Sequence, residues 1–216
     1  MSGAPPEVIS MPRIIGRSSS SFTRVTRVFA AELGVAYELQ VVRDLMSSNM
    51  ADYAGNPALK LPALQTASGT WFGALNVCRA LSRIATRDVR IVWPEALHEP
   101  LLSNAQELTV HALATEVALV MSKLGGTAAD SLHQAKMRTS LRNVMSWLDA
   151  NVGAILAALP SDRNLSYLEV TLFCLVTHLE FREVLPVIDY PELALFCRRF
   201  GARSSALDTL YRFDAE

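Results

Sequence analysis

The stretch Asn56-Pro57-Ala58-Leu59-Lys60-Leu61-Pro62-Ala63-Leu64 constrains the fold more than any other part of the chain. Proline has no N–H to give to a sheet, so next to an apolar run it belongs at the first residue of a strand. Pro62 therefore marks a loop-to-strand turn, with Ala63-Leu64 opening the strand. The flanks supply the rest of a small mixed domain. Arg13-Ile14-Ile15-Gly16 is a short apolar run ending in Gly and reads as a first strand. Four serines, at 18–21, form a loop. Phe22, Val25, Phe29 and Leu33 then recur at helical spacing until Gly34 stops the helix. Residues 37–42 alternate and read as a second strand, and 43–55 are irregular or weakly helical. The proline segment and Trp71-Phe72 give two more short strands around a turn at Ser68-Gly69. Residues 74–84 give a helix with Val77, Leu81 and Ile84 on one face.

The rest of the chain is helical. Trp93-Pro94 breaks any helix there, so 86–98 read as a linker. A helical pattern runs over 99–124 and stops at Gly125-Gly126. Met137, Leu141, Val144, Leu148, Val152, Ile155 and Leu159 form one continuous stripe, ended by Pro160. Ser166 followed three residues later by Glu169 is a capping box. The helix it opens, over 167–179, is apolar on nearly every side and is expected to be central and buried. The expected organisation is a flexible lead over 1–11, an α/β domain over 12–85, a linker over 86–98 and an all-helical domain over 99–216.

A chain of 216 residues, 50% hydrophobic and 19% charged, is a compact globular protein with ample core. Its net charge of −1 calls for neither nucleic acid nor an anionic membrane surface. No apolar run reaches the ~18 residues that span a bilayer. The N-terminal residues lack the basic start and apolar core of a signal peptide. Cys78, Cys174 and Cys197 are far apart, odd in number and set in apolar helical contexts, so buried reduced thiols are expected, in a cytoplasmic protein. No metal-ligand spacing occurs, and the acidic residues form no carboxylate pair.

The β-α-β-loop-β-β-α order is the thioredoxin-like layout, and the residues within it resemble the glutathione transferase superfamily. Residues 56–64 are similar to its N-P-x-x-K-V-P-A-L segment. The run GRSSSSFTRVTRVFAAELGVAYEL over 16–39 is similar to its S-P-F-x-R-K-V-R-x-x-x-x-E-L-G-x-x-Y-E opening. Farther on, the Ser166–Glu169 box resembles the family's S-x-x-D box. Glu180-Phe181-Arg182, Tyr190-Pro191-Glu192-Leu193 and Ala202-Arg203-Ser204-Ser205 resemble its L-x-F-R, Y-P-x-L and A-R-P-S pieces. The likeness extends over about residues 12–212 and is closest to bacterial serine-type members.

The resemblance implies a glutathione transferase fold, with a thioredoxin-like N-terminal domain and an all-α C-terminal domain. It implies a cis Leu61–Pro62 bond that turns the Leu61 backbone outward to pair with a peptide-like ligand. Ser20 matches the catalytic hydroxyl, which stabilises the glutathione thiolate as nucleophile. The alternative is that the four serines solvate a loop and cap a helix. As a loop hydroxyl, Ser20 is expected to be replaceable by Ala within about 0.5 kcal/mol of stability. Ser18, Ser19, Lys60, Leu61, Pro62, Gly73 and Ala74 are the implied binding positions. Phe22, His111 and Thr115 are implied for a second-substrate cleft, with a helix-surface or packing role as the alternative for His111. Implied partners are a small electrophilic substrate, glutathione as co-substrate without a metal, and a second copy in a homodimer involving Phe72, Leu75 and Arg79.

One departure matters. The family's F-E-S-x-A-I becomes Phe72-Gly73-Ala74-Leu75-Asn76-Val77, which removes the acid and the hydroxyl that hold the γ-glutamyl end of glutathione. Three readings follow: a transferase with a weakened glutathione site that conjugates or isomerises a small electrophile, a non-catalytic protein of the same fold that binds a protein partner or another ligand, or an enzyme that accepts a different thiol or acid in the altered pocket.

Overall fold

The computed structural model describes residues 11–126 and 131–215, so the lead expected over 1–11 lies outside them but for Met11. The chain divides into two units. Residues up to 88, together with 208–215, form the first, and 89–207 form the second.

The first unit is a four-stranded sheet of order β2-β1-β3-β4 with two helices. Strand β1 (Arg13–Gly16) is followed by α1 (Ser21–Leu33) and β2 (Glu38–Val41). Then come β3 (Ala63–Thr66), β4 (Gly69–Phe72) and α2 (Ala74–Arg83). β1 pairs in parallel with β2 and antiparallel with β3, and β3 with β4 is a hairpin. Val25, Val28 and Phe29 of α1 and Val77, Cys78 and Leu81 of α2 are fully buried with Ile14, Ile15 and Leu64 of the sheet. Gly34 ends α1 in the left-handed region at φ 68°, where a side chain would be strained.

Between β2 and β3 the chain makes a short 3-10 helix, Met50–Tyr53. Tyr53 pins this segment to the sheet. Its ring lies in a buried cluster with Ile15, Val42 and Ala63, against which Leu59, Leu61 and Phe72 pack. Its hydroxyl faces the carbonyls of Leu45 and Ser47 at 3.2 and 3.1 Å.

The second unit holds the long helices α3 (Pro100–Leu124) and α4 (Leu132–Ala158), then α5 (Tyr167–Phe181), α6 (Pro191–Gly201) and the single turn α7 (Ser204–Leu207). The stretch expected as linker contains β5 (Ile91–Val92), which pairs in parallel with β6 (Leu165–Ser166). The α4 stripe is buried from Leu141 to Leu159. α5 is buried from Tyr167 to Leu179 at all positions but Glu169 and Thr177, as its apolar sequence requires. None of the helices is long and apolar enough to cross a membrane, among the described residues. Cys78 and Cys174 are buried thiols and Cys197 is a half-buried one.

The Ser166 hydroxyl accepts the Glu169 N–H at 3.0 Å and donates to the Glu169 carboxylate at 2.8 Å. The carboxylate does not turn back to the Ser166 N–H as in a full capping box. Arg163 takes both of its oxygens, at 2.7 and 2.8 Å, because a two-pronged guanidinium outcompetes one amide. Those hydrogen bonds to Glu169, ahead of its charge and against the cost of burial, raise the Arg163 pKa above its ordinary value.

Two outcomes are expected. Ser166→Ala lowers stability by about 1–2 kcal/mol, read as a shift of the denaturant midpoint at unchanged slope. Burial, then the charges of Asp44 and Asp52, raises the Tyr53 pKa above its ordinary 10.0. The folded protein then keeps this proton after the unfolded chain has lost it, so stability present below about pH 10 declines as pH rises through the folded pKa. Tyr53→Phe should flatten part of that alkaline decline in unfolding curves; an unchanged slope would remove Tyr53 as its source.

Candidate functional site

Strand register decides which residues can meet. Ile15 of β1 lies opposite Ala63 of β3, and the strands are antiparallel. The residues that follow β1, Arg17 to Ser20, therefore share one end of the sheet with those that precede β3, Leu61 and Pro62. Ala63 is also opposite Phe72. The end of β4 and the start of α2 thus arrive at the same end, where the Gly73 N–H donates to the Pro62 carbonyl at 3.1 Å. The parallel β2 ends there too, the Val42 N–H reaching the Gly16 carbonyl at 3.0 Å. Two helix N-termini, those of α1 and α2, open at this end, and neither has an acidic residue in its first turn. Unsatisfied N–H groups and the helix dipoles make such an end attractive to anions.

The Leu61–Pro62 peptide is cis. The Leu61 N–H and C=O form no hydrogen bond among the described residues, whereas the carbonyls on either side, of Lys60 and Pro62, are both taken. Leu61 therefore offers one donor and one acceptor to an extended ligand. Asn56, 4% exposed, holds this segment: its amide donates to the Lys60 carbonyl at 2.8 Å and its oxygen accepts the Ala58 N–H at 3.0 Å. The Lys60 side chain is exposed.

Ser20 is the N-cap of α1, its hydroxyl accepting the Thr23 N–H at 3.3 Å. That overturns its expected near-neutral replacement, because removing the cap costs the helix about 1 kcal/mol. The capping bond leaves the hydroxyl proton free to point elsewhere. Ser18 and Ser19 are buried, and the Ser18 hydroxyl has no hydrogen-bond partner among the described residues. Phe22 is half-buried in the first turn of α1.

Gly73, at φ 82° and ψ 146°, is the residue before α2, in a region that only glycine adopts readily. Its N–H is donated to the Pro62 carbonyl and so is not available to a ligand; Ala74, 7% exposed, is the first residue beyond it. Asn76 donates its amide N–H to the Phe72 carbonyl at 3.2 Å. In the second unit, His111 lies on the exposed side of α3 and Thr115 on its buried side.

Tyr53 and Asp214 escape a reading of the sequence, whereas Asn56 stands at the head of the 56–64 motif and holds Lys60 and Ala58 within it. Tyr53 is separated from the strands it packs on by ordinary-looking loop residues. Asp214 lies 196 positions from Ser18, yet its carboxylate accepts the Ser18 N–H at 2.9 Å. No local pattern signals a contact of that span. Among the described residues, no group of three His, Cys, Asp or Glu side chains converges as a metal ion would need. A groove of ≈ 470 Å³ at the other end of the sheet, lined by Pro12, Val35, Ile84 and Thr86 among others, contains no charged side chain.

A hydroxyl that serves as both cap and ligand group is separable by substitution. Ser20→Ala should lose about 1 kcal/mol of stability, and Ser20→Gly only a few tenths, as thermal unfolding would record. Any ligand effect common to both variants then belongs to the hydroxyl and not to the helix.

Residues 19–84 match the family model described as glutathione S-transferase, N-terminal domain. No curated protein matches the sequence. Among solved structures, the chain is similar to a glutathione S-transferase from Methylobacillus flagellatus with glutathione bound, at 20% identity and a TM-score of 0.72, over 93% of this chain and 100% of that one. It is also similar to a glutathione transferase family member from Pseudomonas fluorescens with bound glutathione, at 19% identity and a TM-score of 0.74, over 93% and 99%. A third, from Methylobacterium radiotolerans in complex with glutathione sulfonate, shares 18% identity at a TM-score of 0.70, over 96% and 98%. At these identities the likeness is one of fold: a thioredoxin-like unit followed by an all-helical one, the glutathione transferase fold.

Proposed function

We propose that the protein is a member of the glutathione transferase superfamily that binds glutathione through its first unit and presents the thiol to a small electrophile. The observation that carries this reading is Leu61, whose unpaired backbone groups lie beside a cis Pro62, at the sheet end where Ser20 caps α1. An extended peptide thiol fits both features. Its backbone would pair with Leu61 as a short added strand, and its sulfur would meet the Ser20 hydroxyl and the dipole of α1. A free thiol has a pKa near 8.5, so a fall of about two units converts most of it to the nucleophilic thiolate at neutral pH. The proton leaves to solvent, and the sulfur attacks the electrophilic carbon, forming a C–S bond as a leaving group departs from that carbon with its bonding electron pair. Phe22, half-buried in the first turn of α1, is the proposed contact of the first unit for that second substrate.

The departure at Gly73 and Ala74 weakens the site without removing it. Two charge-assisted hydrogen bonds are lost, about 1.5–3 kcal/mol each, so affinity should be roughly a hundredfold or more below that of a site with both. A Glu at 73 would have to adopt the φ of 82° that glycine holds there. The same departure favours the second reading, a non-catalytic protein of this fold that binds a partner.

We extend the proposal to a homodimer involving Phe72, Leu75 and Arg79, all half-buried in the single chain. Sedimentation giving a mass near 23.7 kDa would refute it. Isothermal titration with reduced glutathione is expected to give a dissociation constant between about 10 μM and a few mM. No heat up to tens of millimolar would overturn the glutathione reading and favour the partner-binding one.

A further inference from the structure

The C-terminal stretch makes contacts that the proposed function does not use. Residues 208–215 belong with the first unit, and they are fixed to it at three points, one of them in the serine loop. The Asp214 carboxylate accepts the Ser18 N–H at 2.9 Å. The Arg43 guanidinium donates to the Ala215 carbonyl at 2.8 Å, while Arg17 donates to the carbonyl of Arg43 at 3.1 Å. The Tyr211 ring covers the buried Arg24 guanidinium, 4.3 Å from ring centre to Cζ.

We propose that the loop 17–20 is a carboxylate-binding site, that the chain's own Asp214 occupies it in the free protein, and that an incoming carboxylate takes it by displacing the tail. The loop has the chemistry for an anion. It runs into the N-terminus of α1, where the helix dipole presents partial positive charge and the first turn supplies no acid of its own. Two guanidinium groups, of Arg17 and Arg43, border it. Its donor is satisfied by a side chain from the far end of the sequence and not by a neighbour, as an ordinary loop cap would be. The Ser18 hydroxyl adds a second sign. It is fully buried, belongs to the residue that already holds a carboxylate, and has no partner of its own among the described residues. An arriving carboxylate could use both Ser18 groups, whereas Asp214 uses one.

The occupant also bears on the thiol chemistry. Asp214 places a negative charge two residues from Ser20, and a thiolate forming at the same helix end would be repelled by it. Tail displacement and thiolate formation are therefore coupled. This consequence rests on the glutathione reading; the carboxylate site itself does not.

The test uses the full chain, labelled with nitrogen-15, as wild type, Asp214→Asn and Tyr211→Ala. The second variant loosens the tail at a different anchor and leaves the loop untouched. Each is titrated with glutarate, a dicarboxylate without a thiol, and separately with reduced glutathione, while the Ser18 and Phe213 amide signals are followed. If the tail holds the loop for nine-tenths of the time, both variants should bind glutarate about tenfold more tightly than wild type. In wild type the Phe213 signal should move toward its Tyr211→Ala position as the Ser18 site fills. Equal affinities in all three proteins, a Phe213 signal that ignores ligand, or no movement of Ser18 in any of them would each overturn the proposal. Glutarate displacing the tail while glutathione binds no better than glutarate would uphold the carboxylate site and count against the glutathione reading.

Discussion

The antiparallel pairing of β1 with β3 is the constraint on which the candidate site depends. With Ile15 opposite Ala63, the serine loop and the Leu61-Pro62 peptide must share one end of the sheet. Ile14 and Ile15 point to opposite faces of β1 and both are fully buried, so a shift by one residue would exchange its two packed surfaces and break the cluster that Ile15 shares with Tyr53 and Ala63. The site is thus a by-product of core packing: apolar side chains fix the strands, and the strands fix where the polar groups emerge. Tyr53 and Asn56 complete the arrangement from the long connection. One buries a ring beneath Leu61, and the other ties down the Lys60 carbonyl.

The electrostatics of that end follow from what is missing. Neither α1 nor α2 begins with an acid, and Gly73 adds no side chain at all. The positive potential of two helix starts is left for something else to use. Asp214 uses part of it, and the unpaired Leu61 backbone groups and the buried Ser18 hydroxyl remain open. Arg27, almost wholly buried on α1, is held by the Tyr37 hydroxyl at 3.1 Å. Arg24 and Arg27 thus add two buried cations to the first half of the helix.

The helical unit handles polarity in a different way. It buries a Glu116–His178 pair at 2.6–2.7 Å, both side chains almost fully withdrawn from water, with Arg182 3.4 Å from the other ring nitrogen. Nearby in sequence on the same two helices, Gln106 faces Thr171 at 3.5 Å. Buried pairs of this kind add little to net stability, but breaking one strands a charge at a cost of several kcal/mol. They penalise any slippage of α3 against α5, a face that apolar side chains alone would tolerate in several registers.

The sequence by itself determined the elements. The strand order, the stops at Gly34 and Pro160, the α4 stripe, the buried α5 and its Ser166 cap are all local signals, and each is met in the structure because periodicity and capping act over a few residues. The resemblance carried by residues 16–39 and 56–64 pointed to the right fold and to the cis bond at Pro62. Tertiary structure decided the rest. It gave Ser20 a structural task, spent the Gly73 N–H on Pro62 and tied the Asn76 amide to the Phe72 carbonyl. It also carried Asp214 back to Ser18 across 196 residues and joined Glu116 to His178 across 62. The physical reason is the same in each case. A hydrogen-bonding group takes the partner that folding brings within its reach, and that choice is made by the packing of distant apolar surfaces, of which the local sequence holds no record.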